Sequence, residues 1–418
     1  MASLAARLRL ARELEGPYAF LREPGPWFVA LVALGAAARA WLVLATEGTY
    51  DVSIWESHAR AVLADGLAGA YRAVPLLNHP PVAAISVSWL LALSESTGLP
   101  FAWLLRAPIA ALDLASASLL LALLRDSPWR WLAAGLYAIH PVAIILSAYH
   151  GNSDSSIAFF LLLAAIAAVR GEPLRSGAAV GVSLWIKLPG LLALPALVLF
   201  FPRWRDRSAC ALAAGAVAVV AYLPMLAIDP GLLYRNVFAY RGQILHSTAG
   251  VPIWGPLGFL LPLFDVAGAA RPQVNAFARA WNEYDTIVVL VPILAFAWLR
   301  RDERGAFGLG KTLAACFAVT YGFSMRWAFQ YLAWSAPFWL LAGRGWFAGA
   351  TLLTSAYLYG LYAWVCGDPL LRGEWDFIGH PHWPGWLVLV RNAAVVFFMS
   401  VTVIDLYRAA RKALRPAP

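Results

Sequence analysis

Long apolar runs leave this chain few possible folds. They fall at about 27–45, 81–97, 103–124, 131–149, 156–169, 177–201, 209–228, 252–264, 285–299, 307–324, 331–342, 345–365 and 385–405, each bounded by proline, glycine or charge. About 20 apolar residues in a helix cross a hydrocarbon core of ~30 Å. In that medium every backbone polar group must find its partner internally, so helices or closed barrels are the available spans. Of the 418 residues, 61% are hydrophobic and 13% charged, against roughly a quarter charged in a soluble protein. A disordered chain and a soluble nucleotide-binding enzyme are excluded. The expected class is an all-α polytopic membrane protein with about 11–13 transmembrane or re-entrant helices. No repeat of period 20–50, low-complexity tract or soluble domain is visible.

The net charge is +9, and of the 32 basic residues only Lys187, Lys311 and Lys412 are lysines. The arginines cluster between apolar runs, which marks cytoplasmic loops and not a nucleic-acid partner. Arg7, Arg9, Arg12 and Arg22 put the N-terminus inside, and the run from Trp27 reads as a signal-anchor span. Arg203, Arg205 and Arg207, then Arg300, Arg301 and Arg304, then Arg408, Arg411, Lys412 and Arg415 mark further inside segments. The stretches 46–80, 229–284 and 366–384 then lie outside. Cys210, Cys316 and Cys366 form neither a metal pattern nor a disulfide framework.

The same rule does not close if 81–97 spans fully, because Arg125–Arg130 and Arg170–Arg175 then fall outside. It closes if 81–97 stays at the outer face. Residues 177–201 must then start and end inside. They are too few for two full crossings, but suffice for two half-helices meeting near Lys187-Leu188-Pro189-Gly190. Broken backbone at that depth survives only where protein or a cavity covers it, so a cavity is expected around Lys187.

The polar residues stand out against this background. Asp51 follows the first span and opens an amphipathic stretch containing Glu56, like a helix lying in the interface. An acid there is either a helix cap or a general base for a hydroxyl. His79 precedes Pro80-Pro81 and can be a loop residue or a ligand. Arg106 and Asp113 lie two turns apart, ~10 Å, in an apolar segment where ionisable residues are functional candidates or helix bridges. His150-Gly151-Asn152-Ser153-Asp154-Ser155 could be a capped turn, with Ser153 or Asp154 as N-cap; that explains one residue of six. Lys187 could snorkel to an interface or hold a phosphate at a half-helix end. His246 follows Arg241 and Gln243 in an outer stretch. Arg326, Gln330, Tyr331 and Trp334 form a polar–aromatic group, with Gln330 and Trp334 spaced to share a helix face. The aromatic belt accounts for most of the 20 Trp.

In this order, the acid after the first span, the Pro80-Pro81 step, the Arg106…Asp113 helix, His140-Pro141 with Gly151-Asn152-Ser153-Asp154-Ser155, Lys187-Leu188-Pro189-Gly190 and Gln330-Tyr331-Leu332-Ala333-Trp334-Ser335-Ala336-Pro337 resemble the GT-C superfamily of integral-membrane glycosyltransferases. The polyprenyl-phosphate-sugar-dependent hexosyltransferases, mannosyltransferases among them, are the most similar branch, over about residues 27–340. The resemblance implies a GT-C fold with outer-face interfacial helices. It divides the chain into a cytoplasmic tail (1–26), a catalytic transmembrane module (27–228), a variable transmembrane module (229–405) and a basic tail (406–418). It implies a polyprenyl-phosphate-linked hexose donor and a lipid-linked or glycan acceptor at the outer face of the plasma membrane. Asp51 would be the catalytic base. Lys187, Arg326 and Arg106 would hold the donor phosphate. Glu56, His79, His150, Asn152, Asp154, His246, Gln330 and Tyr331 would contact sugar or acceptor. No cofactor and no metal are expected. The isolated Asp51 departs from the Asp-Glu pair of protein O-mannosyltransferases, and Asn152 stands where related enzymes often have Gln. Competing readings are a lipid-linked-glycan flippase or transporter, for which paired repeats are missing, and a glycan polymerase or ligase.

Overall fold

The structure is a computed structural model and describes residues 19–74, 77–240, 254–256, 271–326, 328–377, 379–380 and 383–414. Among these there is no strand, and the chain is an all-α polytopic membrane protein. Among the described residues five helices are long and apolar enough to cross a membrane: α1 (Pro26–Ala45), α4 (Phe101–Leu123), the Ala280–Leu299 part of α13 (Arg271–Leu299), α14 (Gly305–Phe323) and α17 (Gly385–Ala413). The pair α5 (Arg130–Ala138) and α6 (Pro141–Tyr149), bent by 46° at the His140-Pro141 step, makes a sixth. The pyrrolidine ring and missing N–H of Pro141 explain the break. Several other expected runs form shorter or interrupted helices, and the run at 252–264 lies almost wholly outside the described residues, so this count is below the 11–13 expected when re-entrant pieces are included.

Helices α2 (Tyr50–Ala73) and α3 (Pro81–Thr97) pack on each other, and neither qualifies as a span. Helix α7 (Asp154–Val169) then packs between α4 and α8 (Pro173–Ile186). Helix α8 ends at Lys187, whose backbone is extended (φ −166°, ψ 152°). A 3-10 turn (Leu188–Ala193) and α9 (Leu194–Phe200) follow. The expected pair of half-helices is therefore present, with its break at the expected lysine. Helix α10 (Trp204–Val220) lies closest to α8: a Cβ on Gly177 would meet the Cys210 carbonyl at 2.0 Å, and one on Gly181 would meet Val217 at 2.6 Å. Small residues spaced by four are how membrane helices approach so closely. Short helices α11 (Leu223–Ile228) and α12 (Pro230–Leu233) follow. After α14 come a 3-10 segment (Phe329–Trp334), α15 (Ala336–Ala342) and α16 (Arg344–Cys366).

Two ends of the bundle can be told apart by contact. One gathers residues 21, 124–136, 307 and 340–347 around a common cavity; Arg304 lies over the Phe200 ring there, and Lys412 pairs with Glu303. The other gathers 44–56, 100–103 and 374–376 around a second cavity. The first end holds Glu303, Arg304 and Lys412, the second holds Asp51.

A buried ionic network ties the spans together. Arg39 Nη2 lies 2.6 Å from Asp113 Oδ2, and both side chains are almost fully buried. Tyr137 Oη donates to Asp113 at 2.6 Å and Ser147 Oγ at 3.1 Å, while Arg39 Nη1 donates to the Ala138 carbonyl at 2.6 Å. Helices α1, α4, α5 and α6 thus meet on one carboxylate, and Asp113 is a helix bridge. Removing one partner of such a pair leaves an uncompensated charge. Arg39→Met is expected to cost on the order of 3 kcal/mol, read as a lower unfolding temperature in detergent. Adding Asp113→Asn, which neutralises the stranded carboxylate, is expected to recover part of that loss; no recovery would contradict the ionic account.

Candidate active site

Two turns build the site, and each depends on its neighbour. The first runs from the end of α1 to the start of α2. A helix C-terminus leaves carbonyls without intrahelical donors, and Arg106 supplies them. Its guanidinium is fully buried and donates to Leu42 O at 3.2 Å, Val43 O at 3.0 Å, Thr46 O at 2.5 Å and Ala148 O at 3.3 Å. A cation there also complements the negative helix end. Arg106 is therefore spent on holding the Asp51 turn, and the structure does not bring it to the other candidate phosphate ligands. Thr49 caps α2 by accepting from Asp51 N at 3.3 Å, and donates through Oγ1 to the His150 carbonyl at 2.7 Å.

The second turn is 150–154. Gly151 has φ +79°, and a Cβ there would meet Val52 at 2.3 Å. A glycine is needed both for the left-handed backbone and for the close approach of α2. That approach delivers Asp51 to the second turn: Asn152 Nδ2 donates to its Oδ2 at 2.6 Å, and His150 Nε2 lies 3.3 Å from the same oxygen without hydrogen-bond alignment. On its other side His150 Nδ1 shares a proton with Tyr362 Oη at 2.6 Å.

Neither expected N-cap acts through its side chain. Ser153 is at the cap position without a side-chain bond, and its Oγ is buried without a partner. Asp154 instead takes Lys187 Nζ at 3.1 Å and Trp334 Nε1 at 2.5 Å. Lys187 also lies 5.3 Å from the centroid of Tyr331, whose ring stacks on Trp334 at 4.2 Å. The expected pairing of Gln330 with Trp334 fails for a geometric reason. Residues 329–334 form a 3-10 helix, in which i and i+3 eclipse, so Tyr331 and not Gln330 stands over Trp334.

The remaining candidates divide. His79 is buried against Trp55, ring centroids 4.2 Å apart, with both ring nitrogens unpartnered. Glu56 pairs with Arg60 at 2.6 Å and faces a cleft of about 960 Å³ with Glu47, Tyr50, Glu374 and Asp376. Arg326 is held by Asn282, Nε to Oδ1 at 2.9 Å and Nη2 to the carbonyl at 2.6 Å. Among the described residues no hydrogen bond or ion pair joins Arg326 or Gln330 to Asp51 or Lys187. His246 lies outside the described residues. No group of three His, Cys, Asp or Glu side chains among the described residues could hold a metal ion.

Sequence reasoning missed Arg39, which is an arginine inside the first span and could have been flagged as such. It also missed Tyr362, one of 15 Tyr, for which the sequence carries no distinguishing signal.

An apolar groove of about 310 Å³ runs along α2, α3, α4, α7 and α8, lined by Trp55, Val82, Leu105, Phe160, Trp185 and Ile186. Ser153 lines it too, and Ile186 adjoins Lys187, so it leads from membrane-depth helices to the polar cluster.

The electrostatics favour an ionised Asp51. It lies outside the spans and its side chain is 28% exposed. Burial raises its pKa, but His150, the Asn152 donor and Lys187 outweigh that and bring it from 3.8 to about 2. A depressed carboxylate pKa adds stability that is present above the unfolded value of 3.8 and lost as pH falls through about 2. The unfolding-temperature gap between wild type and Asp51→Asn is thus expected to be flat from pH 5 to 8 and to shrink below pH 4. A gap that grows on acidification would contradict the depressed value.

Residues 77–271, a little under half of the chain, match the family model of glycosyltransferase family 87. No curated protein matches the chain. The family match covers the 150–154 turn, the Lys187 break and the Arg106–Asp113 helix, and with the all-helical fold it is consistent with a GT-C-type enzyme.

Proposed function

From the premise that this chain is a membrane glycosyltransferase, we propose that it moves a hexose, mannose favoured, from a polyprenyl-phosphate donor to a hydroxyl of a lipid-linked or glycan acceptor. The reaction faces the extracytoplasmic side of the plasma membrane. The observation that carries this reading is the joining of a base and a cation across one polar cluster: Asp51 on Asn152 and His150, Lys187 on Asp154 two residues further along.

The chemistry is a single inverting displacement. The acceptor hydroxyl oxygen bonds to the anomeric carbon while the bond from that carbon to the donor phosphate oxygen breaks. The hydroxyl proton goes to Asp51, and the leaving lipid phosphate keeps the electron pair. A carboxylate with a pKa of about 2 is a weak base, so the proton moves late, once bond formation has acidified the hydroxyl. Asn152 and His150 aim the carboxylate meanwhile. Lys187 sits at a helix break where a phosphate is readily held, with the partly buried Tyr331 beside it and Trp334 packed behind that ring. The apolar groove takes the isoprenoid chain. A lipid phosphate is already a good leaving group, so the site needs no nucleotide. Arg106 takes no part in phosphate binding here; it fixes the turn that carries Asp51. Glu56, its cleft and His79 are left to the acceptor.

Purified protein offered a panel of synthetic polyprenyl-phosphate sugars and lipid acceptors, with mass-spectrometric detection, tests the reading. Transfer from a hexosyl polyprenyl phosphate, with inverted configuration at the anomeric carbon, is expected. Lys187→Gln is expected to raise the KM for that donor about tenfold or more, the loss of one charge-assisted contact of ~1.5–3 kcal/mol. Transfer from nucleotide sugars alone, or retention of configuration, would contradict it.

A further inference from the structure

At the end of the bundle opposite Asp51 a cavity of about 510 Å³ lies between the two halves of the chain. The proposed reaction makes no use of it. Leu132 and Leu136 of α5 form one wall, and Phe307, Leu340 and Phe347 of α14, α15 and α16 the other. Trp129 and Arg344 also line it, the guanidinium 5.5 Å from the indole centroid. Arg344 is exposed and makes no hydrogen bond or ion pair with the described residues. Arg22 follows the lining residue Leu21, and its Nε is buried with no partner. Arg125 follows the lining residue Leu124 and faces the exposed Asp126 at 3.4 Å.

The slot is thus apolar along its walls and cationic at its edge, and no carboxylate among the described residues pairs with Arg344 or Arg22. A buried guanidinium nitrogen without an acceptor is costly, and a planar guanidinium matches a phosphate in a two-point contact. Basic pockets between membrane helices at a basic end suit anionic headgroups. A zwitterionic choline headgroup would bring a positive charge against the arginines. We propose that this cavity binds an anionic phospholipid, its phosphate on Arg344 and Arg22 and its acyl chains along Leu132, Leu136, Phe307 and Phe347. Because the lining comes from both the N-terminal and C-terminal halves, the bound lipid holds them together and stabilises the fold by mass action.

The test uses the full-length protein, delipidated in a neutral detergent, titrated with phosphatidylglycerol, phosphatidylcholine or a polyprenyl phosphate. Occupancy is read by native mass spectrometry and the unfolding temperature alongside it. Neither readout involves sugar transfer, so failure here and failure of the proposed reaction are separable. Phosphatidylglycerol is expected to bind and raise the unfolding temperature while phosphatidylcholine does neither. Arg344→Gln is expected to weaken phosphatidylglycerol binding about fivefold. Leu136→Trp, which fills the slot without changing charge, is expected to abolish it, and decides the matter if Arg344→Gln fails to fold. Equal binding of the two phospholipids, preference for the polyprenyl phosphate, or unchanged affinity in both variants would overturn the assignment.

Discussion

In a medium with almost no water, a charge must be paired or it destabilises what surrounds it. This constraint organises the whole molecule. Arg39 meets Asp113 at 2.6 Å, Lys187 meets Asp154 at 3.1 Å, and Arg300 meets Asp405 at 3.3 Å. Arg106 forms no ion pair among the described residues and instead takes the open carbonyls at the end of α1. Each pairing joins elements far apart in sequence, so the few charges act as rivets between helices whose lipid-facing surfaces are interchangeable. Asp51 differs from these. It is partly exposed, and its partners are a neutral amide and an imidazole. A carboxylate supported in this way is held in place and is still open to a hydroxyl.

The rivets and the site are one construction. Arg106 fixes the turn before α2, Gly151 lets α2 come close, and the approach puts Asp51 on Asn152. On the far side Tyr362 of α16 holds His150, so the C-terminal half reaches the same carboxylate. A conservative change at Arg106 would therefore act on the site through geometry without touching a substrate.

What was legible in the sequence follows from the same physics. The apolar runs gave the class, and the arginine bookkeeping, which would not close, located the break at Lys187. The density of polar residues in 150–155 pointed to the second turn. Arg106 was visible as a candidate, but its partners are backbone carbonyls, which no side-chain pattern advertises. Gln330 and Trp334 do not share a face, because their α-helical spacing falls in what is a 3-10 segment. Tyr362 could not be told from belt aromatics, since its role depends on which helices meet. The family match rests on residues 77–271, so it does not reach Asp51, whose proposed role is argued from geometry.

The most direct test of the central claim is therefore single-turnover transfer from a hexosyl polyprenyl phosphate by Asp51→Asn, in protein shown to be folded. Asparagine keeps the shape and the Asn152 neighbour but cannot take the proton. The account predicts a rate lower by roughly 10²–10⁴-fold with donor binding retained. Transfer at the wild-type rate would contradict it.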